Sequence, residues 1–283
     1  MKNIFKCIVL SIFFMFYNSA FASRGLILSA DNSINYYENG ELIRKVIQLP
    51  SSNYSISYTG DNFFYAKYFK EDKKYSLHIC NLLTAKCNPI ETPKETAEIV
   101  DISFSDNGYG LIARTDNKID IYFEGSYSYS IPIEGREIKG VSFVGDYFYV
   151  LQVKENRYNW ISSSIKKCSL LNLICSDYIQ INQQITSIFS NEQNDIFALS
   201  KDGYIFYFFN GQYQWQKKFI NYYADNLSFT DQGFVIRQQY TEKINNILQP
   251  SRYTASFFLC SIEENYCEKI QTTNTIPVKG SFK

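Results

Sequence analysis

The cysteines of this 283-residue chain follow a repeating pattern. Six of the seven lie in three pairs, and every pair has the spacing C-x6-C. The first members of successive pairs are 88 and 92 residues apart, and such a recurring interval indicates an internal repeat. The pairs are Cys80 and Cys87, Cys168 and Cys175, and Cys260 and Cys267. The chain is therefore predicted to fold as an array of similar units.

The cysteine pairs are predicted to form local disulfides. Two cysteines with this spacing can face each other across the strands of a hairpin, where Cβ atoms come within reach of a disulfide. Pairing between repeats would require distant units to meet, so the local connectivity is favoured over the alternatives. Structural zinc sites and redox sites prefer closer spacings such as C-x-x-C, which the chain lacks. We therefore expect structural disulfides in an oxidising compartment.

The N-terminal residues predict an export signal. Lys2 and Lys6 form a positively charged start, and an apolar stretch runs from Ile8 to Tyr17. Ala20-Phe21-Ala22 then matches an A-x-A cleavage pattern. The apolar stretch is shorter than the roughly 20 residues of a membrane span, with an uncleaved N-terminal anchor as the alternative. We expect residues 1–22 to be removed and the protein to be periplasmic or secreted.

The mature chain, residues 23–283, is expected to form a single domain without a membrane span. Loss of the signal removes Cys7, which leaves an even number of cysteines. It also removes Lys2 and Lys6, which leaves 26 basic and 28 acidic side chains. This balance shows no basic excess of the kind that nucleic-acid binding requires. No linker-like segment divides the mature sequence.

Alternating apolar and polar residues, interrupted by turn pairs every eight to twelve residues, predict an all-β fold. Equivalent positions recur 85 and 86 residues apart, as at Asp31, Asp116 and Asp202. These aspartates begin Asp-Asn or Asp-Gly pairs, which favour two-residue type I′ turns. The same intervals separate a second set of turns and a set of serines, which are Asn39-Gly40, Glu124-Gly125 and Asn210-Gly211, and Ser57, Ser142 and Ser228.

The repeat predicts a six-bladed β-propeller made of three two-blade modules. Each module holds two units of about 40 to 45 residues, which is the size of a four-stranded blade. The N-terminus supplies only three strands, Gly25–Ala30, Ile34–Tyr37 and Leu42–Leu49, so we expect the C-terminal strand Pro277–Phe282 to complete that blade. The alternatives are a seven-bladed ring with one degenerate blade and a two-domain β-sandwich.

Two segments resemble blade starts of the TolB and YVTN type propellers. They are Val100-Asp-Ile-Ser-Phe-Ser-Asp-Asn-Gly-Tyr-Gly-Leu-Ile-Ala113 and Leu227-Ser-Phe-Thr-Asp-Gln-Gly-Phe-Val-Ile236. In that family a turn of the Asp-Gly type joins the two inner strands of a blade. The resemblance implies the architecture and carries no functional residues.

The connections between second and third strands indicate a candidate binding surface. We expect two-residue turns in the blades without cysteines and longer connections in the cysteine-bearing blades, at Lys70–Tyr75, Lys154–Trp160 and Tyr240–Tyr253. The alternative is that several of their aromatic side chains pack under their own loops. Aromatic and arginine side chains are common anchors of interfaces. The candidate binding residues are Tyr75, Arg157, Tyr158, Trp160, Tyr240, Arg252 and Tyr253.

A catalytic site is not marked out by the sequence. His78 is the only histidine, so a catalytic triad or a multi-histidine metal site would have to use this residue. The segment Ser228-Phe-Thr-Asp231 does not match a sialidase-type turn, because its Ser–Asp spacing differs from that motif by one residue. Asp101, Asp146 and Asp225 are predicted near inner-strand ends, where they could hold calcium or serve as turn and cap residues.

We therefore interpret the chain as an exported, disulfide-stabilised interaction module for a protein or glycan, with no catalytic residue, cofactor or metal expected. The alternative is a carboxylate-dependent hydrolase or lyase, with or without the assistance of calcium, acting at the central channel.

Overall fold

The computed structural model describes most of the chain after the N-terminal segment. The residues described are 24–51, 54–94, 96–105, 109–155, 161–191, 195–220, 223–230, 233–242, 252–261, 266–270 and 277–282. These residues form 24 strands, arranged as six antiparallel four-stranded sheets around a ring. Within this part of the chain, no helix has the length and apolar character needed to cross a membrane. The fold is the predicted six-bladed β-propeller.

Every blade contains four strands in order from the channel outward. The first three blades are β24 (Pro277–Phe282), β1 (Arg24–Ser29), β2 (Ser33–Glu38) and β3 (Glu41–Gln48); β4 (Ser55–Tyr58), β5 (Asn62–Phe69), β6 (Lys74–Asn81) and β7 (Cys87–Ile90); and β8 (Ile99–Phe104), β9 (Gly110–Arg114), β10 (Lys118–Phe123) and β11 (Ser126–Pro132). The last three are β12 (Glu137–Val144), β13 (Tyr147–Glu155), β14 (Ile161–Ser169) and β15 (Cys175–Ile181); β16 (Ile185–Ser190), β17 (Asp195–Ser200), β18 (Tyr204–Phe209) and β19 (Gln212–Lys218); and β20 (Tyr223–Thr230), β21 (Gly233–Glu242), β22 (Arg252–Ser261) and β23 (Tyr266–Lys269).

The two ends of the chain close the ring, as predicted. β24 pairs antiparallel with β1, and the register places Gly25 opposite Phe282 and Leu28 opposite Lys279. The same strand packs between β20 and β4, the inner strands of the sixth and second blades. Closure of this kind protects strand edges at the inner wall and holds both chain ends in a sheet.

The hydrophobic core consists of six clusters, one at each interface between neighbouring blades. Successive residues of a strand point to opposite faces of the blade, and both faces are buried. Phe63 therefore packs toward the first blade, whereas Phe64 packs toward the third. The other four interfaces follow the same arrangement. This two-sided burial explains why many inner strands are apolar at consecutive positions.

The three disulfides form within the predicted pairs. Their Cα atoms are 4.1, 4.0 and 4.0 Å apart, and each bridge links the third and fourth strands of its blade. Cys80, Cys168 and Cys260 are buried against the preceding blade, which has no disulfide. Every bridge thus lies at the interface inside one two-blade module, which accounts for its recurrence on every second blade.

Removal of one bridge is expected to lower the free energy of unfolding by about 2–2.5 kcal/mol, because the closed loop is short. The test replaces Cys80 and Cys87 together by alanine and measures urea unfolding under non-reducing conditions. The equivalent change at Cys168 and Cys175 should cost a similar amount, and the two changes should be additive because the sites are far apart. A loss below about 1 kcal/mol would show that the bridges do not restrain the unfolded chain as argued.

The turns at the repeated aspartates differ from the predicted type I′ turns. Asn32, Asn117 and Gly203 have positive φ, whereas the preceding aspartates do not. The N–H of each of these residues bonds the carbonyl three residues earlier, so each connection is a three-residue loop with a left-handed last residue. The type I′ geometry occurs instead at Asn39-Gly40, Glu124-Gly125 and Asn210-Gly211, where both residues have positive φ.

Side-chain oxygens on the inner strands tie neighbouring blades together. Ser57 Oγ accepts a hydrogen bond from Phe104 N at 3.0 Å, and the equivalent Ser142 Oγ accepts one from Ser190 N at 2.9 Å. Three similar bonds involve Asp101 with Val141, Ser103 with Phe143, and Ser187 with Leu227. These bonds satisfy backbone donors that point from one inner strand toward the next. They give Ser57 and Ser142, two of the three repeated serines, a structural role.

Candidate functional site

The propeller has two faces with different loops. The second-to-third strand connections and the links between blades form one face, which we call the connection face. The first-to-second and third-to-fourth strand turns form the opposite hairpin face. The disulfide-bearing blades have the longer second-to-third connections, as predicted. These are residues 70–73, 156–160 and 243–251, against 30–32, 115–117 and 201–203 in the other blades.

Four candidate binding residues lie on strands rather than on the loops where they were predicted. Tyr75 belongs to β6, Tyr240 to β21, and Arg252 and Tyr253 to β22. Cross-strand pairing continues farther toward the connection face than the turn residues indicated. The side chains of Tyr240, Arg252 and Tyr253 are outside the described part of the chain. Arg157, Tyr158 and Trp160 lie entirely outside it, so binding by these six residues stays a prediction.

Tyr75 is directed into the interface between the second and third blades and is only 2% exposed. Its hydroxyl donates to Asp120 Oδ2 at 2.7 Å and lies 2.8 Å from the hydroxyl of Tyr122. Since the single Tyr75 proton is donated to the carboxylate, Tyr122 acts as donor to Tyr75. Burial, reinforced by the neighbouring Tyr122 and Asp120, raises the pKa of Tyr75 well above its ordinary value. Tyr75 therefore packs between blades and does not contribute an exposed aromatic surface.

Asp120 and Arg114 form a buried ion pair at the same interface. Their side chains are 0% and 4% exposed, and Arg114 Nη1 donates to Asp120 Oδ1 at 3.0 Å. Arg114 Nε also donates to Asp116 Oδ1 at 3.0 Å, and Ser130 Oγ donates to Asp120. These contacts satisfy the Asp120 carboxylate from several sides. The arrangement is that of a structural network, in which a charge is buried only because it is paired.

Of the three aspartates considered as possible calcium ligands, Asp101 and Asp225 use their carboxylates in structural contacts, and Asp146 uses its backbone carbonyl. Asp101 Oδ2 accepts from Val141 N at 3.1 Å, and the carbonyl of Asp146 accepts from Leu170 N at 2.9 Å. Asp225 Oδ1 accepts from Arg237 Nε at 2.7 Å. Among the described residues, no group of three or more His, Cys, Asp or Glu side chains could hold a metal ion.

His78 stacks on Tyr65, with ring centroids 4.8 Å apart and planes 12° from parallel. Its Nδ1 is buried and has no hydrogen-bond partner among the described residues. Burial lowers the pKa of His78, so the packing favours the neutral ring. This environment is that of a histidine packed within a blade.

The apolar side chains exposed at the hairpin face are not among the candidate residues predicted from the sequence. Leu83 and Leu171 are 78% and 83% exposed, and each follows a leucine that packs inward. The inward residues, Leu82 and Leu170, donate their N–H groups to the carbonyls of Asp61 and Asp146. A repeated Leu-Leu pair inside two of the C-x6-C segments is the signal that could have revealed these exposed leucines.

Comparison with known proteins gives no functional assignment. No protein-family model matches the chain. The resemblance to TolB and YVTN type propellers is therefore confirmed only for the propeller architecture. A search of curated proteins also finds no significant match.

Proposed function

We propose that the protein is an exported interaction module that binds a protein or glycan partner through its connection face. The observation that carries this proposal is the placement of the three longest second-to-third strand connections on alternate blades of one rigid ring. Loops on a rigid scaffold are common sites of binding. Their positions would allow one partner to contact several blades at once.

The composition of these connections supports a binding function. Arg157, Tyr158 and Trp160 lie within the second of these connections, and Arg252 and Tyr253 directly follow the third. We expect the three aromatic residues to supply aromatic surface and the two arginines to supply charged donors. Aromatic and arginine side chains anchor protein interfaces, and aromatic faces also stack on sugar rings. The structural contacts of Asp101 and Asp225 favour this function over the carboxylate-dependent hydrolase or lyase.

Combined replacement of Trp160, Tyr158 and Tyr253 by alanine is expected to abolish partner capture and leave the melting temperature nearly unchanged. The protein without residues 1–22 would be immobilised and exposed to periplasmic extract, culture medium, host-cell material and a glycan array. The captured species would be identified and its affinity measured for both proteins. A loss of at least tenfold is expected if these residues form an interface hot spot.

A variant with three aromatic replacements on the hairpin face, Phe123→Ala, Phe209→Ala and Tyr266→Ala, provides the matched control. It should capture the same partner with unchanged affinity. Equal loss in the control would contradict binding at the connection face. Unfolding of the Trp160, Tyr158 and Tyr253 variant would instead show that these aromatic residues belong to the core.

A further inference from the structure

The hairpin face exposes a set of large apolar side chains. Leu83, Leu171 and Ile174 are 78%, 83% and 65% exposed at the tips of the second and fourth blades. Other exposed apolar or aromatic residues lie at, or within two residues of, turns on this face. They are Leu42, Phe123, Tyr147, Leu173, Phe209, Tyr213 and Tyr266. Such a set of exposed apolar residues on one face indicates an interaction surface.

The connection face has a different character in the described residues. The loop at residues 70–73 reads Lys-Glu-Asp-Lys, and the shorter connections contain Asp31, Asp116 and Lys201. The exposed large apolar residues at this face are Phe69 and Tyr223. Among the described residues, most of the exposed large apolar side chains therefore lie on the hairpin face.

The apolar tips are held rigidly. Arg44 of the first blade donates to the carbonyls of Leu82 and Leu83, and the Cys80–Cys87 bridge closes the base of the same turn. In the fourth blade, Leu171 N donates to Ser169 Oγ at 3.2 Å. A fixed turn keeps its leucine exposed, because the side chain has no route back to the core. Such preorganisation lowers the entropy cost of burial against a partner.

The distribution of the tips favours a lipid surface over a protein partner. Protein interfaces concentrate their binding energy in a central, contiguous, well-packed cluster. Here the apolar groups stand on separate hairpins around the rim, divided by polar turn residues such as Thr84, Glu124 and Asn210. A bilayer is planar and deformable, so every tip can insert independently. The tyrosines on the same face can bury their rings and leave their hydroxyls among headgroups.

The charge on this face indicates which lipids it would bind. Acidic residues such as Glu38, Glu41 and Glu124 accompany basic residues such as Lys86 and Lys166 near the turns. Among the described residues of this face there is no basic cluster of the kind that recognises anionic headgroups. Insertion would therefore depend on apolar burial and would be insensitive to salt, which screens only charge interactions.

The path of the chain agrees with a hairpin face that is turned toward a membrane. Arg24 begins β1 beside Glu38, and their side chains form an ion pair at 3.1 Å next to the Asn39-Gly40 turn. Residues 1–23 therefore join the propeller at the hairpin face. Their apolar stretch, Ile8 to Tyr17, would hold this face toward a membrane for as long as it remained inserted.

We propose that the hairpin face docks on zwitterionic lipid bilayers by inserting its apolar tips. This inference goes beyond the partner binding proposed above. It places the connection face, with the three longest second-to-third strand connections, away from the membrane and toward the surrounding solution.

Vesicle flotation tests the proposal with the protein that lacks residues 1–22, so that the N-terminal apolar stretch cannot contribute. Phosphatidylcholine–phosphatidylethanolamine vesicles should carry the protein at both low and high salt. The double variant Leu83→Ser and Leu171→Ser should partition at least tenfold more weakly, because two exposed apolar side chains are lost. Both leucines are exposed, so the melting temperature should not change.

Phe69→Ser is the matched control, since Phe69 is 39% exposed on the connection face. It should float as the unchanged protein does. The proposal is overturned if the unchanged protein fails to float, if the double variant floats equally well, or if only anionic vesicles bind and salt releases them. Analytical sedimentation tests for a second copy of the chain as the occupant. A dimer that forms in place of vesicle binding, and that dissociates in the double variant, would overturn the lipid proposal in favour of self-association. Partner capture at the connection face is measured separately, so the two proposals can fail independently.

Discussion

Replacement of Asp120 by alanine is expected to lower the free energy of unfolding by about 3–5 kcal/mol. The change leaves the guanidinium of Arg114, which is 4% exposed, without its buried counter-charge. It also removes the acceptor of the Tyr75 hydroxyl, which is buried between the second and third blades. An unpaired buried charge and an unsatisfied buried hydroxyl are both costly. Urea unfolding with intact disulfides would measure the loss.

The nearby Asp116 provides a control for this prediction. It also pairs with Arg114, but its side chain is 34% exposed, so Asp116→Ala should cost no more than about 1 kcal/mol. A loss for Asp120→Ala as small as that for Asp116→Ala would show that the buried pair does not stabilise the interface.

The repeat also provides a rescue experiment. The positions of Arg114 and Asp120 correspond in the first blade to Ser29 and Asn35, where Asn35 Nδ2 donates to Ser29 Oγ at 3.2 Å. Arg114→Ser combined with Asp120→Asn should therefore recover most of the stability lost in Asp120→Ala. The neutral pair removes the uncompensated charge, and the amide oxygen can still accept from Tyr75. Failure of this rescue would mean that the third blade requires the ionic form.

The architecture could be predicted because it depends on patterns that repeat along the chain. Turn residues recur 85 and 86 residues apart, and this interval sets both the module length and the number of blades. The C-x6-C spacing fits one outer hairpin, so the disulfide pairing followed from it. The closing strand Pro277–Phe282 could be predicted because the N-terminus contains three strands of a four-stranded blade.

The contacts between blades could not be read from the same patterns. Alternation places a residue such as Tyr75 on a blade face, but it does not state what lies opposite on the next blade. Arg114 and Asp120 depart from the repeat, since the fifth blade has Ser200 and Phe206 at these positions. This departure was visible in the sequence. Its role in the contact between blades could be recognised only once the structure showed Tyr75 next to Asp120. The exposure of Leu83 likewise depends on how Leu82 packs within the turn.

Deletion of residues 277–283 is expected to have the largest effect, a loss of more than about 5 kcal/mol, which is comparable with the whole stability of many domains. The deletion removes β24, so β1 loses its inner partner at Gly25, Leu26, Ile27 and Leu28. It also separates β20 from β4, between which β24 packs. The ring would then open, with exposed strand edges at its inner wall. Loss of near-ultraviolet circular dichroism and rapid proteolysis would report the change.

Removal of Lys283 alone is the control, because the residue follows the last strand, and it should leave unfolding unchanged. A synthetic peptide of residues 277–283, added in excess, should restore protease resistance to the truncated chain by pairing with β1. Restoration would show that strand pairing, and not chain length, closes the ring. A truncated chain that keeps its cooperative unfolding would contradict closure by β24. In that case the six interblade clusters would be sufficient to hold the ring, and both faces proposed to bind would keep their geometry without the C-terminal strand.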